Sequence, residues 1–343
     1  MAAEISAREV ALDAEWLPHQ FEPDGRHLTA ILVPRASRAN LLFLTDGQFR
    51  GAYRKATFAA DTLASACGAL PKAPIHFIFN TSFCCSTLLA RALEVPGLSA
   101  SLREPNILVN VAERLIGGMS VQSNGELELA LRLLERPISA GEKLIVKPSN
   151  FANRLLEPIL ELRPEACAVL LYSDAGTFLR SIAKRGLIAR INARKLYCTA
   201  AAWTSLDLGF SGEETFQQTD LQIAALAWLI QIAHFQAVAD RFGPDRVMIV
   251  NAENLLADTA TILRDIQLLF GLALDERRIA AIVDGPVFTK HSKSSDVDYD
   301  RRTRERDHEA LTEIHGEEIG MVLQWLEAVA GQCGVRLRPY GGS

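Results

Sequence analysis

The sequence predicts an α/β fold with a parallel sheet of about five strands. Three observations predict it. Short strand-like runs recur at 75–79, 98–102, 144–146, 168–172 and 247–250. Stretches with helical spacing lie between them, and strands joined by helical crossovers pair in parallel. Residues 75–91 pass from an apolar strand through a loop of small residues into an amphipathic helix.

Taken in order, residues 1–70 read as a β-rich extension, with β-like runs at 27–33 and 41–44 punctuated by Pro34 and Asp46-Gly47. The α/β domain then spans 71–343. The run at 75–79 is continuously apolar, as in a strand buried on both faces. Leu88, Leu89, Ala92 and Leu93 follow at helical spacing. The third run ends at Lys147, and helical signal follows the fourth through Ser181. Residues 221–242 form one long helix, rich in Ala, Leu and Ile, and Gly243-Pro244 ends it. A second helix over 258–270 closes at Gly271. Residues 290–307 are dense in charge and read as a loop or the start of a surface helix; 309–331 return to an amphipathic helix.

The chain has 343 residues, 49% hydrophobic and 22% charged, which is ample for a large core. Its formal net charge is -5. Such a chain has no global field for nucleic acid or an anionic membrane, so a polyanion would need a local basic patch. No apolar run reads as a membrane span. Glu4, Glu9, Asp13 and Glu15 near the start are unlike a secretory signal, so a cytoplasmic location is expected. The six cysteines include no CxxC pair and no zinc spacing. Adjacent Cys84 and Cys85 are expected to pack as small side chains rather than to form a disulfide.

The loop Asn80–Leu88 carries most of the functional signal. A strand–loop–helix junction directs backbone N–H groups and the positive helix dipole towards an anion. Ser86 and Thr87 stand where the helix begins, placed either to cap it or to bond a phosphate oxygen. The loop is not a Walker A motif, because Cys85 precedes Ser86 and no Lys is present. That argues against a kinase or ATPase using magnesium and a nucleotide.

Phe83-Cys-Cys-Ser-Thr-Leu-Leu-Ala-Arg91, after an apolar strand, resembles the phosphosulfate-binding loop of bacterial sulfotransferases. The resemblance runs over roughly 74–330, through Arg103-Glu104-Pro105, Val146-Lys147-Pro148, the segment 171–181 and the segment 247–271. It implies a P-loop fold of the nucleoside-triphosphate-hydrolase type, three layers α/β/α. It also implies transfer of a sulfuryl group from 3′-phosphoadenylyl sulfate to a hydroxyl or amine of a small molecule, lipid or glycan, with no metal. By the same resemblance Ser82, Phe83, Cys84, Cys85, Ser86, Thr87 and Leu88 hold the phosphosulfate. Ser173 and Ser181 mark the 3′-phosphate site, and Lys290 and Lys293 belong to a late basic loop. Glu104 is the candidate base, Lys147 an electrostatic stabiliser and His291 a secondary acid–base candidate. No nucleic-acid partner and no membrane span are expected.

The pattern is broken at three places. Phe83 stands at the loop's usual basic position, Cys85 at its Gly, and Ser173 at the Arg of the 3′-phosphate site. Cations able to compensate are Arg103, Lys147, Arg180, Lys184, Arg185, Lys290 and Lys293. Each named residue also has a plain alternative: Glu104 a surface carboxylate, Lys147 a strand-end lysine, Ser181 a mid-helix serine, and 180–185 a solvated face. His234 is expected to pack against the core, and Trp203 and Trp228 either line an acceptor pocket or pack between helices. Two rivals stand beside sulfuryl transfer: a divergent phosphoryl-transfer protein with Asp174 as its metal carboxylate, and a non-catalytic protein that keeps the fold.

Overall fold

The structure, a computed structural model, describes residues 5–38, 40–49, 53–116, 120–289 and 301–338, with side chains except those of 120–124, 289 and 301–314. The chain begins with α1 (Ala7–Leu12), β1 (Trp16–Phe21), β2 (His27–Leu32), α2 (Arg35–Arg38), β3 (Lys55–Ala59) and α3 (Ala60–Cys67). The α/β part starts with β4 (Ile75–Asn80), α4 (Ser86–Ala92), β5 (Ser99–Arg103), α5 (Asn106–Ile116), α6 (Ser120–Leu134) and β6 (Lys143–Lys147). A 3-10 segment (Asn150–Leu155), α7 (Leu156–Leu162), β7 (Ala168–Tyr172), α8 (Ala175–Lys184), α9 (Gly186–Ala201), α10 (Gly212–Gln217) and α11 (Asp220–Phe242) follow. The last elements are β8 (Val247–Asn251), α12 (Ala252–Ala257), α13 (Thr259–Phe270), α14 (Glu276–Val283), α15 (Pro286–Thr289) and α16 (Arg301–Gln332).

All five expected strands form, and they make one five-stranded parallel sheet in the order β5-β6-β4-β7-β8. Strands β4, β5 and β7 are buried along their whole length, β4 and β7 on mostly apolar side chains and β5 on small residues with Leu102 and Arg103. Phe77 pairs with Val146, and Arg103 pairs with Lys147, so β5 and β6 end level. The chain leaves central β4 towards β5 on one side, and β7 lies on the other. The loop after β4 therefore sits at a topological switch point, where open α/β sheets bind ligands.

The N-terminal part is an antiparallel sheet in the order β1-β2-β3. The expected run at 27–33 forms β2. The run at 41–44 is not a strand, because Arg103 takes its backbone groups. The guanidinium donates to the carbonyls of Leu41 (2.9 Å) and Leu42 (3.4 Å), and Leu44 N–H donates to the Arg103 carbonyl at 2.8 Å.

The chain falls into two compact units. One comprises Met1–Phe79, Leu89–Ala168 and Phe270–Leu274; the other comprises Asn80–Leu88, Val169–Leu269 and Asp275–Ser343. Buried Glu135 anchors the first, accepting from Arg132 Nη1 and Arg163 Nε, both at 2.7 Å. Burial raises its pKa, but these two partners and Lys72 lower it by more, so the carboxylate stays below its ordinary range.

The second unit is built on α11, which Thr219 caps through a reciprocal bond with Gln222 and which Gly243 ends at φ +76°. By length and composition alone α11 could cross a membrane, but 78% of its apolar window is buried inside the protein, so no clear membrane span is present among the described residues. Its Trp228 is fully buried and donates Nε1–H to the Ser173 carbonyl at 3.0 Å. Trp203 packs edge-on against His234, so these aromatic groups belong to helix packing. The six cysteines are free, and buried Cys84 donates its thiol to the Leu171 carbonyl at 3.3 Å.

Candidate functional site

The loop is fixed at its start by two bonds. Thr81 N–H donates to the Leu171 carbonyl (3.1 Å), and Ser82 N–H donates to Asn80 Oδ1 (3.1 Å). Between them and α4 the chain takes three left-handed residues, Ser82 (φ 71°), Phe83 (φ 54°) and Cys85 (φ 61°). Each costs roughly 1–2 kcal/mol for a residue with a Cβ. Two of them, Phe83 and Cys85, flank a residue without positive φ, and such alternation in the sign of φ is the backbone device that makes an anion nest. Ser86 and Thr87 are buried at the first turn of α4, where N–H groups have no carbonyl within the helix.

Phe83 stands where the resemblance expects a cation, and a cation returns from elsewhere. The Arg185 guanidinium lies over the Phe83 ring, 4.8 Å from its centroid, and Phe83 also packs against Phe178 at 5.9 Å. Arg185 is exposed at the end of α8, so its charge is directed at the loop surface rather than spent in the core. Ser173 is wholly buried, and its hydroxyl has no hydrogen-bond partner among the described residues. Thr81 Oγ1 is in the same state. Ser181 is half-buried and donates to the Thr177 carbonyl at 3.0 Å, the back-bond of a mid-helix serine. Arg180 donates to Thr177 Oγ1 at 3.3 Å on the same helix.

In the first unit, Glu104 and Lys147, singled out separately in the sequence, form one ion pair. The Lys147 ammonium bonds Glu104 Oε1, and Glu104 N–H donates to the Lys147 carbonyl at 2.6 Å. Glu104 is the fourth left-handed residue, at φ 52°. Lys147 is nearly inaccessible, with its side chain 3% exposed, and lies over the Phe43 ring at 5.4 Å. Burial of that kind is bought with a partner, since an unpaired ammonium would be costly there.

Solved structures similar to the chain are sulfotransferases. The sulfotransferase domain from the curacin biosynthetic pathway shares 12% identity over 72% of this chain and 99% of that one, with a TM-score of 0.43. The sulfotransferase domain from a Synechococcus olefin synthase shares 14% over 72% and 96%, with a TM-score of 0.39. A sulfotransferase from Mycobacterium tuberculosis shares 14% over 73% and 83%, with a TM-score of 0.43. No protein-family model and no curated protein matches the sequence.

Other residues take less promising places. Arg103 is buried with its guanidinium on three carbonyls and on Glu94 at 2.8 Å, which commits it to structure. Asp174 accepts from Asn251 Nδ2 at 3.0 Å. Among the described residues no three His, Cys, Asp or Glu side chains gather as a metal site would. Lys290, His291 and Lys293 lie outside the described residues. Sequence reasoning passed over Phe43 and Thr81. Nothing local marks Phe43, which meets Lys147 only through the fold, whereas Thr81 lies within the loop 80–88 and carries a usable hydroxyl.

Proposed function

We propose that the protein is a sulfotransferase that takes its sulfuryl group from 3′-phosphoadenylyl sulfate. One observation carries this reading. All four left-handed residues other than glycine among the described residues, Ser82, Phe83, Cys85 and Glu104, fall in the loop and at the candidate base. Strained backbone persists where function holds it, and here it coincides with the residues that the sequence singled out on other grounds.

The donor's charges suit this chain's own groups. The loop 82–88, with the Ser86 and Thr87 hydroxyls, holds the phosphosulfate, and Arg185 supplies the cation missing at Phe83. Ser181 takes the 3′-phosphate with Arg180 and Lys184, Ser173 forms the packed base of that site, and Lys290 and Lys293 add charge from the late loop. When bound, the donor supplies a sulfuryl group whose leaving phosphate needs charge stabilisation. Glu104 removes the proton of an acceptor hydroxyl or amine, Lys147 orients its carboxylate, and His291 assists. The acceptor is a small molecule, a lipid or a glycan, met in the cytoplasm.

Isothermal titration calorimetry with 3′,5′-adenosine bisphosphate tests the reading, with AMP and ATP plus magnesium as comparisons. Selective micromolar binding is expected. It should weaken about 10- to 100-fold in Arg185→Ala, the range for a charged hydrogen-bonding partner, and be lost in Ser86→Ala with Thr87→Ala. Preference for ATP with magnesium would move the protein to phosphoryl transfer. Binding of neither nucleotide would sink the mechanism.

A further inference from the structure

Helix α9 is built inside out. The face turned inwards carries small residues, Ala189, Ala193 and Ala200, with only Leu196 among the large ones, and packs on α11. Its large apolar side chains are outside: Leu187 is 69% exposed, Ile188 70% and Ile191 41%. The other exposed large apolar residues among the described ones, Leu12, Phe216, Leu268 and Met321, lie far apart in the sequence, which is ordinary. Here three share one surface at the corner where Gly186, at φ +63°, turns the chain from α8 into α9.

The chain segment that carries this patch is charged with one sign. Residues 175–206 contain six cations, Arg180, Lys184, Arg185, Arg190, Arg194 and Lys195, and no Asp or Glu, in a chain of net charge -5. Arg194 Nε meets Asp220 at 2.6 Å and Arg190 lies 3.9 Å from it, so that pair is partly balanced. Lys184, Arg185 and Lys195 are exposed beside the apolar residues. This is the local basic patch that an anionic partner of an acidic chain requires.

We infer that the first turns of α9 dock on an anionic lipid surface, with Leu187, Ile188 and Ile191 entering the interface and the flanking cations meeting the headgroups. Bulky apolar residues ringed by Lys and Arg are the composition of such interfacial helices. A protein partner fits less well, because three side chains fall far short of the roughly 800 Å² per side of a stable complex. The docking reaches beyond sulfuryl transfer. Only its corollary, that the loop beside Arg185 would then face amphiphilic acceptors, rests on that reading.

Co-sedimentation with phosphatidylcholine vesicles, with and without phosphatidylglycerol, tests the docking with no nucleotide present, so its failure leaves the nucleotide reading intact. The full chain should bind the anionic vesicles at least tenfold more tightly than the neutral ones, and high salt should weaken that binding. Leu187→Ser with Ile188→Ser should lose at least tenfold, and Lys195→Glu about fivefold or more, from loss of a cation worth roughly a factor of five. Thermal unfolding of both variants should match the parent. Absence of binding by the folded parent, or undiminished binding by the double variant, would overturn the inference. So would a dimer in light scattering that the double variant dissolves, since the patch would then belong to a second copy.

Discussion

Cys85 concentrates the question of how far the loop departs from the pattern it resembles. A glycine is common at this position in the family it resembles, and the left-handed φ of 61° is the reason a glycine serves. Cys85 keeps the conformation and accepts the strain. Replacing it with glycine removes roughly 1–2 kcal/mol of strain and adds about 0.5–1 kcal/mol of unfolded-state entropy. Cys85→Gly should therefore be neutral or stabilising by up to about 1.5 kcal/mol in urea unfolding. A loss greater than that would mean that the half-buried thiol packs more strongly than the strain opposes it. At Glu104 the expectation separates chemistry from structure. Glu104→Gln keeps a hydrogen bond to Lys147 but cannot take a proton. Turnover should fall by at least roughly 100-fold, with affinity for adenosine bisphosphate unchanged. Lys147→Met leaves a carboxylate without its cation and should cost about 3 kcal/mol of stability. Equal loss of stability in the two variants would make the pair structural only.

At the scale of elements, what the sequence disclosed follows from how local each determinant is. Strands β4 and β7 are buried along their whole length and mostly apolar, and that pattern is visible in a window of a few residues. The long helix α11 announces itself by its composition and by Gly243. The N-terminal elements are set from far away. Strand β1 contains Pro18, which reads as a break, and β3 alternates exposed and half-buried residues with little apolar signal. The same holds at the site: the loop and Glu104 are legible as motifs, whereas the Glu104–Lys147 pair and Arg185 over Phe83 arise from chain segments brought together by folding. Arg136 shows the mechanism for α1 and β1. Buried on α6's C-terminal side, it donates to the carbonyls of Val10, Asp13 and Trp16, and to Leu133 at 2.7 Å. The Asp13 carbonyl also accepts the Trp16 N–H at 3.1 Å, so Arg136→Met leaves chiefly the carbonyls of buried Val10 and Trp16 without this donor. It should destabilise the chain by at least about 3 kcal/mol. Limited proteolysis should show early cutting within the first 20 or so residues. Global loss of structure without that early cutting would mean that Arg136 supports α6 rather than the N-terminal elements.

For the whole molecule, acid stability has an identifiable contributor in His76 on β4. Its ring stacks on Phe270 at 4.8 Å, and Nδ1 accepts the Cys167 N–H at 3.2 Å. The proton of the neutral ring therefore sits on Nε2, which is buried and has no hydrogen-bond partner among the described residues. A second proton would displace the Cys167 N–H and place a charge in apolar surroundings. Burial, with Lys143 adding repulsion, pushes the pKa down from 6.5 to about 4. The sign follows from proton counting. Between pH 6.5 and 4 the unfolded chain binds a proton that the folded chain refuses, so the stability from His76 is complete above pH 6.5 and is lost as pH falls. Between pH 7 and 4.5 the loss amounts to about 2–3 kcal/mol. His76→Asn retains an oxygen for the Cys167 N–H and does not titrate. Carboxylates throughout the chain also weaken in acid, and they contribute equally to parent and variant. Urea unfolding at the two pH values should thus give a drop smaller by about 2 kcal/mol in the variant. Equal drops would mean that His76 charges in the folded state at its ordinary pH, which the buried stack on Phe270 could not tolerate unless β4 opens to water before the rest of the sheet unfolds.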